Sequence, residues 1–364
     1  MHVTRLEIRN LRRFIDVSLA PATGLNVISG DNGAGKTSVL EALHLMAYGR
    51  SFRGRVRDGL VRNGESALEI FVEWNEALRS IPRRAGLRHT GQEWAGRLDG
   101  ADVAQLGDLC AALAVVSFEP GSHALVTGSA DIRRRYLDWG LFHVEPGFLS
   151  LWRRYARALR QRNSLLKRRV ADAQLDAWDR ELAESGEPLS RDRQHYLEAL
   201  QPYFSALVTE WVPTLGHCSL DYVPGWRRED LPLADALLLA RERDLATGFT
   251  SVGPHRADWR IGLGTLPGRE ALSRGQAKLT ALSALMAQAG HYAESRGEWP
   301  IIALDDLASE LDRAHQGRVL DWLRRSRAQV FITGTEIPSA LNSVDGLARF
   351  HVEQGLVERL EPAP

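Results

Sequence analysis

The chain has 364 residues, 44% of them hydrophobic and 25% charged, enough apolar surface for one large domain or two smaller ones. Its 46 basic residues balance 46 acidic ones, so the molecule has no general pull on polyanions, and any nucleic-acid surface must be a local patch. Two cysteines, Cys110 and Cys218, exclude a disulfide framework, offer no metal-ligand spacing and fit a reducing compartment.

At the N-terminus, Arg5, Glu7, Arg9, Arg12 and Arg13 occupy positions where a secretion signal needs an apolar core. No apolar run approaches the roughly 20 residues that span a bilayer, so a soluble, cytoplasmic protein is expected. The alternation of Thr4, Leu6 and Ile8, and of Ile15, Val17 and Leu19, predicts two short strands. A more apolar strand, Leu25 to Ser29, leads into a glycine-rich turn, and a helix is expected from within that turn through Ser38 to Tyr48. Leu68 to Trp74 alternates again, Asp99-Gly100 is a hairpin signal, and Ala114 to Phe118 reads as a buried strand.

From Ser122 to Asp244 the pattern becomes helical. Leu149, Trp152, Ala156, Leu159, Asn163, Leu166 and Val170 form a heptad-like seam. A return segment carries Leu175, Trp178, Leu182, Leu189, Tyr196, Leu200 and Phe204, with Pro188 and Pro202 expected as kinks or breaks. Beyond Phe249 strands and helices alternate again, and Ile301 to Leu304 and Val330 to Thr333 suit a parallel sheet buried on both faces.

Chemistry concentrates first in Gly30-Asp31-Asn32-Gly33-Ala34-Gly35-Lys36-Thr37, which matches G-x-x-x-x-G-K-[ST] without a mismatch. Glycines let the backbone curl so that N–H groups face phosphate oxygens, and the following helix adds its N-terminal dipole. Lys36 would reach the β- and γ-phosphates of ATP, and the Thr37 hydroxyl would ligate Mg²⁺. Only Lys36, Lys167 and Lys278 are lysines, so Lys36 stands out as a place that needs a compact ammonium.

The second element is the apolar run Ile301 to Leu304 followed by Asp305 and Asp306. Asp305 is expected to hold Mg²⁺ and Asp306 to orient the attacking water. Third is Leu272-Ser273-Arg274-Gly275-Gln276 at a helix start, a second place where N–H groups and a hydroxyl meet an anion.

Together these elements resemble the ABC-type ATPases, whose signature in one subunit closes over nucleotide held by another. That resemblance implies an α/β head, a mixed sheet with the P-loop, carrying an inserted helical subdomain. The lobes expected are 1–121, a helical insertion or arm at 122–244, and 245–364 with signature and Walker B. It also places Ser309 to Asp312 at the D-loop. Leu6 to Phe14, Asn32, Arg274, the segments Arg133 to Trp139 and Gly253 to Asp258, and Asp305 to Asp312 are similar to the RecF family of SMC-like DNA replication and repair proteins.

The similarity spans essentially the whole chain in order. It implies an ATP-dependent homodimer that binds single-stranded, gapped and junction DNA, works with RecO and RecR to load RecA, and supports SOS induction. Two departures from the wider ABC pattern point to slow turnover: no glutamine stands near Val115 to Glu119, and Thr335 takes the place of the switch histidine.

DNA contacts are expected from Arg153, Arg154, Arg157, Arg160, Arg162, Lys167, Arg168 and Arg169, a helical stretch without acids. On it Arg153, Arg157 and Arg160 share a face. A second cluster, Arg50, Arg53, Arg55, Arg57 and Arg62, follows the P-loop helix, with Arg53 and Arg57 as its candidates. The competing readings are an ATP-binding scaffold with negligible turnover and a transporter ATPase subunit. The helical insertion between Lys36 and Ser273 speaks against the transporter.

Overall fold

A computed structural model describes residues 1–53, 59–169, 172–337, 341 and 346–360. The chain forms two units, Met1–Ser122 with Arg274–Pro364, and His123–Ser273. In the first unit β1 (His2–Arg9) pairs with β2 (Asp16–Leu19), and β3 (Leu25–Ser29) runs into α1 (Lys36–Tyr48). Then come β4 (Leu68–Asn75), β5 (Arg83–His89), β6 (Trp94–Leu98), β7 (Ala101–Val103), α2 (Leu106–Ala112) and β8 (Val115–Phe118). The second unit holds α3 (Ala124–Thr127), α4 (Ala130–Val144), α5 (Phe148–Arg168) and α6 (Asp172–Trp211). It ends with β9 (Cys218–Val223), α7 (Leu233–Thr247) and β10 (Asp258–Leu263). Back in the first unit are α8 (Arg274–Arg296), β11 (Ile301–Leu304), α9 (Leu307–Glu310) and α10 (Arg313–Ser326). The last strands are β12 (Val330–Gly334), β13 (Ala348–Glu353) and β14 (Leu356–Leu360).

Among the described residues the first unit contains two sheets. One is antiparallel, in the order β2-β1-β4-β5-β6-β7; the other runs β14-β13-β3-β12-β11-β8 and is parallel apart from β14. Every residue of β3, β11 and β12 is buried, as a sheet covered on both faces requires. The antiparallel sheet buries alternate residues: Leu6 and Ile8 meet Val17, Leu19, Ile70 and Val72 across the strands. A register shift between Val3 and Arg5 turns Val3 into the core in place of Thr4, whose hydroxyl bonds the Glu73 carbonyl at 3.2 Å. Ile15, expected with the second strand, precedes β2 and is 59% exposed. One hydrophobic core joins the sheets through Phe14, Leu43, Trp74, Phe331 and Phe350. Each such phenylalanine contributes roughly 2–3 kcal/mol by leaving water.

In the second unit α6 runs unbroken through Pro188 and Pro202, where kinks or breaks were expected. Leu182, Leu189, Leu200 and Phe204 are buried on either side of the prolines, and that packing offsets the roughly 3 kcal/mol each ring costs. The seam of α5 is also displaced: Phe148, Tyr155, Ala158, Arg162 and Leu166 face inward, whereas Trp152 is 40% exposed. Polar partners explain the rotation. Tyr155 bonds His255 at 2.7 Å, and Arg162 finds Asp179, Asp244 and Thr250. Val170 lies outside the described residues.

Residues 245–273 were expected in the C-terminal lobe, but they belong to the second unit. There β10 pairs antiparallel with β9, from Asp258↔Val223 to Leu263↔Cys218. Arg133 grips Asp258 with two bonds of 2.6 and 3.0 Å, Arg134 donates to the Ala257 carbonyl at 2.7 Å, and Arg193 bridges Asp138 and the Pro254 carbonyl. The segments 133–139 and 253–258 are thus held together by part-buried ion pairs and arginine-to-carbonyl bonds.

Candidate nucleotide site

The loop of residues 30–35 joins β3 to α1. Gly30 has φ 147°, and a Cβ there would lie 2.2 Å from the Val352 carbonyl oxygen of β13. Gly35 has φ 122°, and its Cβ would press the Phe14 ring at 3.0 Å. Both positions therefore exclude side chains for reasons of conformation and of space. Lys36 is buried, and its ammonium donates to the carbonyls of Gly30 at 2.7 Å and Asp31 at 2.9 Å, curling over the loop it belongs to. Asp31, Asn32 and Gly33 are exposed along the rim, while Ala34 packs into the core.

Asp305 follows β11 and stands against α1. The Thr37 hydroxyl donates to its Oδ1 at 2.9 Å, although the two residues are 268 positions apart. The Thr333 hydroxyl of β12 donates to the same oxygen at 2.6 Å and accepts the Asp306 N–H at 2.9 Å. Burial raises the Asp305 carboxyl, the Thr333 and Thr37 hydrogen bonds oppose that rise, and Asp306 adds to it. Both hydroxyl protons go to Oδ1, so among the described residues Oδ2 takes no hydrogen bond. A hydroxyl and a carboxylate are hard oxygen donors, and this set fits Mg²⁺. Asp306 adopts the left-handed conformation, φ 53° and ψ 40°. Thr333 was not foreseen as a site residue. Thr335, expected at the switch position, is exposed just beyond β12.

Glu119 lies beyond β8, where the sequence lacks a glutamine. Burial, then the nearby Asp305 charge, push its carboxyl up to about 7 against the pull of Arg50. Burial and Arg50 bring His44 down to about 3; its Nδ1 lies 3.1 Å from the Ser117 hydroxyl, and its ring stacks on Tyr48 at 4.0 Å. Fully buried Glu41 holds Arg12 through bonds of 3.1 and 2.8 Å and takes the Ser51 hydroxyl, which itself accepts the Arg53 N–H at 3.0 Å. Arg53 is exposed, and its charge draws the Asp305 carboxyl down. Arg57 and Arg55 lie outside the described residues.

Ser273, Arg274 and Gly275 are exposed at the start of α8, with Gln276 half-buried. A Cβ on Gly275 would touch nothing within 4 Å, so internal packing does not demand its glycine. Lys278, one turn further on, pairs with Glu310 of α9 at 2.7 Å. Ser309 is exposed and bonds the Asp306 carbonyl at 3.0 Å. Asp312 caps α10 by accepting the His315 N–H at 3.0 Å, and that bond holds its carboxyl below the ordinary range.

On α5, Arg153, Arg157 and Arg160 are exposed, and among the described residues none of them enters an ion pair or a side-chain hydrogen bond. Arg153 and Arg157 line a shallow depression with Ala177 and Trp178. Arg154, by contrast, is held by Glu181 and Glu184 at 2.6 to 2.9 Å. Arg162 leaves the basic stripe altogether: it is fully buried and paired. No helix of the described residues is long and apolar enough to cross a membrane.

A family model described as the RecF/RecN/SMC N-terminal domain matches residues 2–357. The DNA replication and repair protein RecF of Stenotrophomonas maltophilia is 67% identical over 98% of this chain and 99% of its own. That of Thioalkalivibrio sulfidiphilus is 39% identical over 98% of each. A solved structure of the recombination mediator protein RecF-ATP in the RecFOR pathway is 27% identical, covers 99% of this chain and 98% of its own, and superposes with a TM-score of 0.89. An Smc head bound to the C-winged helix domain of ScpA shares the fold, with a TM-score of 0.61 at 15% identity, over 99% of this chain and 97% of its own. The chain belongs to the RecF family of DNA replication and repair proteins, built on the ABC-type ATPase head of the SMC group.

Proposed function

We propose that this chain is an ATP-switched DNA-binding protein of recombinational repair, in which nucleotide binding closes a homodimer and slow, DNA-stimulated hydrolysis reopens it. The observation that carries this reading is the meeting of Thr37 with Asp305 beside the curled loop of residues 30–37. Residues 30–36 would cradle the triphosphate, Lys36 turning from the loop carbonyls to the β- and γ-phosphates. Thr37 and Asp305 would hold Mg²⁺, which supplies Lewis-acid neutralisation of phosphate charge when bound. Asp306 would orient the attacking water, with Thr335 near the γ-phosphate end.

Ser273, Arg274, Gly275 and Gln276 of a second copy would complete the site, and Ser309 and Asp312 would line the junction. The exposed Arg153, Arg157 and Arg160 would take phosphates of single-stranded, gapped or junction DNA without reading sequence. As in the RecFOR pathway named for its structural relative, RecO and RecR would be the partners, loading of RecA at gaps and support of SOS induction the outcome, and the nucleoid of the cytoplasm the location.

The test is retention of labelled ATP with Mg²⁺, and molecular mass with and without ATP and gapped DNA, for the wild type and Lys36→Met. Retention and doubling of mass that both vanish in Lys36→Met support the proposal. Equal retention by the two proteins refutes the site, and an invariant monomer refutes the shared dimer. Phosphate release no higher than that of Lys36→Met would leave an ATP-binding scaffold.

A further inference from the structure

We infer that Thr333 is a positioning residue whose single hydroxyl locks Asp305 and Asp306 into one arrangement; the inference rests on the nucleotide site proposed above. Its basis is strand order. β12 lies between β3, which feeds the loop of residues 30–35, and β11, which feeds the carboxylates. Ile332 is opposite Leu304 in register, so Thr333 comes beside Asp305, one residue past the end of that pairing.

The residue is 1% exposed, and water does not compete for its hydroxyl. That hydroxyl has one proton. Donating it to Asp305 Oδ1 at 2.6 Å turns the oxygen's lone pairs toward the Asp306 N–H, which they accept at 2.9 Å. The branched side chain limits χ1, so both bonds come from one preset rotamer.

Two consequences follow for the acids. Asp305 receives Thr333 and Thr37 on the same oxygen, which fixes the orientation of the carboxylate beside the Thr37 hydroxyl that would share its cation. Asp306 is held by its N–H in a left-handed conformation, uncommon for non-glycine residues though aspartate is among those that tolerate it best. The Asp306 carbonyl then accepts from the Ser309 N–H at 3.0 Å and from the Glu310 N–H at 3.2 Å, so the same hydroxyl sets the start of α9.

The experiment compares Thr333→Val and Thr333→Ser with the wild type. It measures the Mg²⁺ concentration for half-maximal ATP retention, ATP retention in excess chelator, kcat and KM for phosphate release, and Tm. Thr333→Val, nearly isosteric, is expected to raise the Mg²⁺ requirement by about tenfold, the cost of one lost hydrogen bond to a charged group. kcat should fall by a similar factor, with chelator-resistant retention and KM little changed. Thr333→Ser should restore both quantities to near wild type. A valine variant with wild-type Mg²⁺ dependence and kcat overturns the inference, as does a serine variant no better than valine, which would make the methyl group the reason for threonine. Should valine not fold, Thr333→Ala takes its place in the same comparison. A wild-type chain that retains no ATP overturns the proposed function and this inference with it.

Discussion

Replacing Arg162 by methionine separates a structural arginine from the exposed ones on the same helix. Arg162 has no exposed surface and donates to Asp179, to Asp244 at 2.7 Å and to Thr250 at 2.9 Å. Removing one partner of a buried ion pair costs about 3–5 kcal/mol, because the remaining charge stays out of water. Asp179 keeps Arg241 at 2.7 Å, and Asp244 keeps the Ser251 N–H at 3.0 Å, so the lower end, about 3 kcal/mol, is expected. For a unit of this size each kcal/mol shifts the midpoint by about 2–4 °C, so the unfolding transition should drop by about 6–12 °C. Calorimetry of the full chain, with DNA affinity measured well below the transition, reads both quantities. A variant with unchanged Tm and weakened DNA binding would refute the assignment of Arg162 to the core and return it to the basic stripe.

Reversing Arg157 and Arg160 together to glutamate should weaken binding to gapped DNA and flatten its dependence on salt, with nucleotide retention and Tm unchanged; an unaltered salt slope excludes α5 as the contact surface. Glu119 makes a pH prediction. Its folded pKa of about 7 lies above the ordinary carboxyl value of 4.5, so its stabilising contribution is full below 4.5 and is lost as pH rises through 7. Between about pH 5 and about pH 8 the urea midpoint should therefore decline more in the wild type than in Glu119→Gln, and parallel declines would show that this carboxyl is not raised in the folded protein.

The nucleotide loop was legible from sequence because backbone curvature ties glycines and lysine to fixed spacing, and its strand and helix flank it as read. Asp305 was legible for a similar reason, a carboxylate at the end of a wholly apolar strand. Thr333 was not, since its role arises only when β12 is inserted between β3 and β11, and no local pattern encodes strand order. Arg162 carried the same charge as its neighbours on α5; only the acids of α6 and α7 distinguish it. Pro188 and Pro202 read as kinks or breaks because local propensity omits the burial on each side of them, and the helix continues without a break. The β13–β14 hairpin escaped notice, although Gln354 and Gly355 form its tight turn with φ 48° and 83°. The second unit extended to Ser273 because pairing of β10 with β9 is a long-range choice.

The interleaved order of the parallel sheet bears on how the chain is made. β3 has β12 and β13 as its neighbours, and among the described residues β8 pairs only with β11, so β3 and β8 wait for residues beyond 300. Residues 123–273 contain their own helices and strand pair, and they are synthesised before those partners. A chain ending at Ser273 would therefore carry all the residues of the middle unit but leave two apolar strands with no sheet to join until the final ninety or so residues are added.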